Sequence, residues 1–486
     1  MFQRKRDKKR RWPYIVFLAI VLMGIGGFLT YKYLRENIVS NPIIQKQLKQ
    51  VIGEEHEDIV DQLPSLLGFE EKKTYLLLFL NNTEMRPGGG FIGSYATLEV
   101  EKGVPHILMM EGTEGIDGRA PANWKVTPPT ILTKELYVDR WYFRDSNWSP
   151  DFIQSTKRSL EFYEAEGGVA AKEIDGVIGV TTHVLEAILE KTGPIEVQGL
   201  TFNASNVIEL LEKEVEYDFQ DRGIHFSDRK QIMRPFFDEI IKRVGYNALF
   251  DSEEYMALFM DLLKEKQIMI YGVEEAIATM AQEQGWDGSM EKTDGDYLLW
   301  ADANLAALKT DHAMERHVTY HISKQEEQFI GQASMTYTHT GTFDWRTTRY
   351  RTYARIYVPA GSVLQEVEIV DPQGNHIRID PAQVDQGFEQ GKRWFGIFTV
   401  IEPGKEEHLI FRYLLDPDIV QQIQSGTYQL TVQKQLGTEA HGLTLLHEFG
   451  TTIQGALPAE EEKEWYDNAY TIHTDLREDR YFSVNL

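Results

Sequence analysis

The sequence predicts an α/β domain followed by an all-β sandwich-like domain, preceded by one transmembrane helix. Three observations carry this. An uncharged apolar run follows a basic N-terminal cluster. Strand-like and helix-like segments alternate between 73 and 310. Beyond Met314 the pattern turns to short alternating runs separated by Gly, Pro and Asp.

Composition narrows the class. At 486 residues and 42% hydrophobic content the chain is globular and too long for one ordinary core. A formal net charge of −25 argues against nucleic acid, because phosphate recognition needs a basic face that releases counterions. The absence of cysteine fits an exported protein that relies on core size, without fixing the compartment.

In chain order, Arg4, Lys5, Arg6, Lys8, Lys9, Arg10 and Arg11 stand against Asp7 alone in a basic tail, 1–11. The segment 12–33 has no charge before Lys32 and aromatics at both ends, and an uncharged run of about 20 residues spans a bilayer as a helix. The positive-inside rule then keeps the tail in the cytoplasm and sends the bulk of the chain outside, at the cell membrane. A cleaved signal peptide is the rival, but the run is long and Tyr31-Lys32-Tyr33 is no small-residue cleavage site.

A charged stalk, 34–72, leads to TYLLLFLN, a strand buried on both faces and the start of the α/β domain, 73–310. SYATLEV and HILMM read as a hairpin. Ser149-Pro150 reads as a cap and first helical residue, IDGVIGV as a strand, and HVLEAILEK as a helix stopped by Gly193-Pro194. Further helices are expected at 204–216, 229–244, 252–266 and 273–284, with strands IMIYG and YLLWAD among them. Seven runs, from RHVTYHISK to TYQLTVQKQL, make the sandwich-like domain, 311–457. An acidic tail, 458–486, is expected to be peripheral.

Gly88-Gly89-Gly90-Phe91-Ile92-Gly93 fits G-x-G-x-x-G, but the glycines run into a strand where a dinucleotide loop must open a helix. Two readings of this loop stay open. Consecutive glycines aim N–H groups at an anion that Arg86 also grips, or they only make a tight turn. In DRWYFRDSNWSPDF, residues Arg140, Arg144, Asp145, Asn147, Trp148, Ser149 and Asp151 could bind a phosphate with its magnesium, or form a buried ion-pair and capping network. Asp221, Arg222, Asp228, Arg229 and Gln231 form a third cluster, for which a solvated charged helix start is the favoured reading. His317 and His321 share a strand face without a third ligand, and Ser94 lacks a nucleophile-elbow setting.

NNTEMRPGGGFIGSY, RDSNWSPDF, IDGVIGV…ILEKTGPIEV, YVPAGS and VQKQLG together resemble a bacterial family known as domain of unknown function 4012, over about 74–437. The family name brings no activity. The α/β part is more loosely similar to the LytR-CpsA-Psr family, extracellular membrane-anchored proteins that transfer glycopolymers from polyprenyl-pyrophosphate carriers to peptidoglycan. That resemblance implies a layered sheet with flanking helices, with Arg86, Arg144, Asp145 and Arg229 as catalytic residues. It also implies substrate contacts from Arg222 and Gln231 and magnesium on Asp145 and Asp228, while the reading of the residues themselves adds Gly88, Gly89, Gly90 and Arg140 as candidate substrate contacts. Pro87-Gly88-Gly89 replaces the usual Asp-Thr after the first arginine, and the late spacing is compressed.

The expectation is therefore a membrane-anchored envelope protein that transfers a polyprenyl-phosphate-linked glycopolymer. The alternative is a non-catalytic scaffold that binds cell-wall polysaccharide. Convergence of the arginines on one groove beside an apolar channel favours the first, and arginines neutralised by buried carboxylates favour the second.

Overall fold

The computed structural model describes residues 62, 64–225, 229–248, 251–464 and 467–486. The expected basic tail and transmembrane helix, and most of the stalk, lie outside them. Among the described residues no helix is long and apolar enough to cross a membrane.

The first sheet is built around β1 (Lys73–Asn81), flanked by β2 (Phe91–Glu101), β3 (Val104–Gly112), β4 (Gly176–Thr181) and β7 (Ile268–Gly272), in the order β3-β2-β1-β4-β7. A two-stranded hairpin, β5 (Ile195–Val197) and β6 (Leu200–Phe202), stands apart. β1 runs parallel to β4 and antiparallel to β2. Its side chains alternate between two cores, since neighbours along a strand point to opposite faces. Tyr75 and Leu77 pack under the helices His183–Thr192 and Met233–Ala248, whereas Leu76, Leu78 and Leu80 meet Phe152, Phe162 and Tyr163. Burial on both faces explains why β1 reads as an unbroken apolar run.

The rest of the chain forms two seven-stranded sheets that share one core. Their strands are β8 (Asp296–Asn304), β9 (Met314–Gln325), β10 (Gln328–His339), β11 (Tyr350–Pro359), β12 (Val363–Val370), β13 (His376–Ile379) and β14 (Asp385–Glu389). They continue with β15 (Lys392–Ile401), β16 (Glu406–Leu414), β17 (Thr427–Gln433), β18 (Gly442–Glu448), β19 (Gly455–Leu457), β20 (Ala469–Asp475) and β21 (Arg480–Asn485). One sheet is β13-β12-β16-β10-β9-β18-β20 and the other β14-β15-β11-β8-β17-β21-β19.

The predicted fold class is corrected accordingly. The described residues form a mixed α/β protein of several sheets, not a layered LytR-CpsA-Psr-like domain joined to a separate sandwich, and none of their helices is long and apolar enough to cross a membrane. β8, expected in the α/β domain as YLLWAD, lies between β11 and β17 and is buried along its whole length. Its carboxylates tie its own sheet to the opposite one. Asp296 accepts hydrogen bonds from Tyr320 (2.6 Å) and Tyr428 (2.7 Å), and Asp302 from Tyr337 (2.6 Å), Thr352 (3.0 Å) and Arg316 (3.1 Å). The tail expected to be peripheral supplies β20 and β21, with Tyr470 and Val484 fully buried. The helix expected to start at Pro150 runs Phe152–Ala165, capped by Asp151, whose side chain accepts from Gln154 N.

Candidate functional site

A cavity of about 400 Å³ opens between the first sheet and its helices. Phe79 of β1 and Val180 of β4 form its floor, and Leu185, Leu211, Val215 and Phe237 close over it from the helical side. Phe79 and Phe237 stack with centroids 4.8 Å apart. Four charged residues that line it belong to one ion-pair lattice. Arg229 donates to Glu114 (2.9 Å) and Glu216 (2.8 Å), and Lys230 donates to Glu114 (2.8 Å) and to the carbonyl of Gly93 (2.6 Å). Arg144 reaches the same wall from the turn Phe143–Asp145, held by Asp117 at 3.1 Å and lying 4.4 Å over the Tyr142 ring. Burial pushes the Lys230 ammonium below its usual range. Burial also acts to raise Glu114, but its lysine and arginine partners hold it below the ordinary carboxylate value.

Of the residues expected in the site, Arg144 and Arg229 line this cavity. Arg86 does not. Only 2% exposed, it donates to Asp145 (3.0 Å) and the Asn304 carbonyl (2.5 Å) and pairs with Glu84 (3.3 Å). Asp145 is itself buried between Arg86 and Arg144, the latter at 3.7 Å, so the carboxylate expected to hold magnesium is already engaged on both oxygens. Asp228 lies outside the described residues. Magnesium ligation by Asp145 therefore requires this arginine pairing to be broken first.

The glycines make a joint. Gly88 N donates to the Asn147 carbonyl, Gly89 N to the Arg86 carbonyl, and Asn147 Nδ2 to the Gly90 carbonyl. The amides of Gly88 and Gly89 thus point at protein instead of an anion. Gly88 also bridges to Leu436, Asn82 donates to the Gly437 carbonyl at 3.0 Å, and Asn304 N donates to the Met85 carbonyl at 2.9 Å. The loop 81–90 and the segment 433–438, two of the stretches that carry the family resemblance, clamp the first sheet to β8 and β17.

Arg140 lies 4.9 Å over the Tyr142 ring, Arg222 pairs with Glu214 at 2.9 Å, and Gln231 is exposed. None of the three lines the cavity. His317 and His321 contact Thr444 and Glu448, while Ser94 lines the cavity. Among the described residues, the one group that brings three ligand atoms together is His183, Glu186 and Glu439.

Sequence reasoning missed Glu114, Lys230 and Lys309 at the cavity, and the buried pair Asp117 and Glu166 behind Arg144. Burial holds both members of that pair above the ordinary carboxylate range, reinforced at Glu166 by the charge of Asp117 and at Asp117 by the charge of Asp145. Lys230 stands next to a residue already singled out. Glu114 and Lys309 arrive from distant segments with no local signal.

Fold and site define a mixed α/β protein with an apolar cavity framed by ion pairs. Residues 70–216 match the family described as Protein of unknown function (DUF4012), the family that the motifs in this segment resemble. No curated protein matches the sequence. Similar solved structures include a candidate nutrient binding protein from Legionella pneumophila, with 8% identity over 39% of this chain and 71% of that one, at a TM-score of 0.26. Others are leukotriene A4 hydrolase from Saccharomyces cerevisiae (10%, 35% and 28%, 0.20) and aminopeptidase A from Legionella pneumophila (7%, 38% and 22%, 0.19). Likeness at this level says nothing about the chemistry of this chain.

Proposed function

We propose that the chain is an envelope protein that binds an amphipathic ligand with a long apolar tail and an anionic head, of the polyprenyl-phosphate-linked glycopolymer class. The carrying observation is the cavity. An apolar space of this size lined by Phe79, Val180 and Phe237 suits a lipid chain, and Arg144, Arg229, Lys230 and Lys309 on the same wall suit a phosphate. The basic cluster before the apolar run 12–33 supports a location at the cell membrane, with the body outside. Binding is favoured over transfer because Asp145 is held between two arginines. A phosphate head would take over hydrogen bonds that Glu114 and Glu216 now receive, so capture exchanges one set of ion pairs for another.

The test is calorimetric titration of the full chain in detergent with farnesyl pyrophosphate. Saturable binding is expected. Val180→Trp, which fills the cavity, should abolish it, and Arg144→Ala should weaken it about tenfold, the worth of one charge-assisted hydrogen bond. No saturable binding by the folded wild-type chain overturns the proposal. A transferase reading keeps one support, the presence of both Arg144 and Arg229 at the cavity. It requires that added magnesium and an acceptor yield product that Arg144→Ala does not make.

A further inference from the structure

Behind the cavity wall sits a carboxyl group that the fold leaves without a donor. Glu166 is 1% exposed, and neither of its oxygens has a hydrogen-bond partner. It caps the C-terminus of the helix Phe152–Ala165, at the negative end of the helix dipole. A carboxylate taken out of water with no donor and an adverse dipole is strongly disfavoured, so such a group keeps its proton. Among its surroundings the Phe143 amide and Arg140 favour the charged form, and neither bonds to it. Burial, and after it the neighbouring Asp117, outweigh them and raise Glu166 to about 8.

Asp117, on the helix Thr113–Arg119, lies against Glu166 and is 4% exposed. Its Oδ2 accepts from Arg144 at 3.1 Å, while Oδ1 has no partner. Three of the four carboxyl oxygens in the pair are therefore unsatisfied by the rest of the protein. One proton resolves this, with the Glu166 hydroxyl donating to Asp117 and the remaining charge facing Arg144. Arg144 stands between that charge and Asp145, at 3.7 Å, and lines the cavity. Asp145 is shared with Arg86.

We infer that Asp117 and Glu166 share one proton and serve as positioning residues for Arg144. With the proton in place, one negative charge holds the guanidinium at the cavity wall and leaves it able to grip an anionic head. When the proton leaves to water, two negative charges draw the guanidinium inward and neutralise it. This rests on the cavity reading and names the residues that keep its Arg144 available.

The sign of the coupling follows from linkage. An anionic head that competes for Arg144 makes the pair hold its proton more tightly, so affinity is full below the Glu166 value and falls as pH rises through it. Lys230, which burial pushes down, also loses charge as pH rises, so the reference is Glu166→Gln, whose amide donates to Asp117 and cannot ionise.

The experiment is titration of the full chain in detergent with farnesyl pyrophosphate at pH 7 and pH 9. Wild type should lose about tenfold more affinity than Glu166→Gln across that interval, the limit in which only the protonated pair binds. Infrared spectra tell the two readings apart without ligand. Wild type at pH 7 should show a protonated-carboxyl band that is missing in Glu166→Gln and that fades in wild type by pH 9, the second comparison needing no variant. Absence of that band overturns the inference, as does an equal pH dependence of binding in wild type and variant. No binding at either pH, with the band present, removes the cavity reading and the role at Arg144 with it, but not the shared proton.

Discussion

A guanidinium enclosed on every side has a different role from one at a cavity wall, and Arg86 and Arg144 differ in this way. Arg86 is fastened by the buried Asp145, a carbonyl and the partly exposed Glu84. Removing it leaves Asp145 facing only Arg144 at 3.7 Å. Arg86→Ala should therefore lower stability by about 3–5 kcal/mol, the cost of stranding a buried partner, as measured by chemical denaturation. His447 carries a prediction of the opposite kind. It lies in the shared core with Tyr320 and Tyr428 rings each 5.3 Å away, and neither ring nitrogen has a hydrogen-bond partner. Burial, helped by His321, pushes it down to about 3. Its folded value lies below its unfolded one, so the unfolded chain binds the proton more readily. Stability is whole above pH 6.5 and is lost as pH falls from there toward 3. At pH 5 the loss is about 2 kcal/mol, at 1.36 kcal/mol per unit. Asp296, raised to about 6 by burial, works the other way, losing stability as pH rises through that value. Comparing wild type with His447→Phe isolates the histidine. The variant should gain about 2 kcal/mol at pH 5 relative to its difference at pH 7.5, and a pH-independent difference refutes the assignment.

At the scale of elements, the loop between β1 and β2 shows what a sequence can and cannot reveal. That β1 is buried on both faces was legible because its apolar run is unbroken, and the glycines marked a place of unusual geometry. Their use was not legible, because their partners, Asn147 and Leu436, come from remote segments. β8 misled for a related reason: Asp296 and Asp302 look like the polar ends of a short strand unless the tyrosines that satisfy them from β9, β10 and β17 are known. The pairing of Arg86 with Asp145 was equally hidden. Both residues stood out as charged motifs, but only their mutual contact at 3.0 Å turns a ligand-gripping pattern into an internal ion pair. Arg144 and Arg229, both singled out in the sequence, line the cavity together, Arg144 from the turn Phe143–Asp145 and Arg229 from the segment before the helix Met233–Ala248. The loop also carries a test. Gly90 has φ 130°, and a Cβ there would lie 2.7 Å from the Asn81 carbonyl carbon. Gly90→Ala should cost about 1–3 kcal/mol and speed amide exchange at both 81–90 and 433–438, since each holds the other. Faster exchange confined to 81–90 would show that the two segments are not coupled.

At the scale of the molecule, the β1–β2 loop and β8 join what would otherwise be two separable halves. Buried hydrogen bonds run from Asn82 to Gly437, from Met85 to Asp311 and from Gln435 to both Arg86 and Asp302, crossing from the first sheet into the shared core of the other two. The outer face of β8 packs against the helix Thr130–Leu136, where Ile131 and Leu132 meet Ala303 and Tyr353. Separating the halves would strip partners from several buried polar groups at once, each costing about 1–3 kcal/mol, so neither half should survive the other's unfolding. One calorimetric transition is expected for the described region instead of two. Gly437 is the place to test this, because φ there is 71° and a Cβ would lie 2.2 Å from the Gly89 carbonyl oxygen. Gly437→Val must push the two segments apart without touching either core. It should split the transition into two, the first sheet with its helices melting below the seven-stranded sheets. A single transition in the variant, merely shifted to lower temperature, would mean that the coupling resides in β8 and its helix contact and not in the glycine joint.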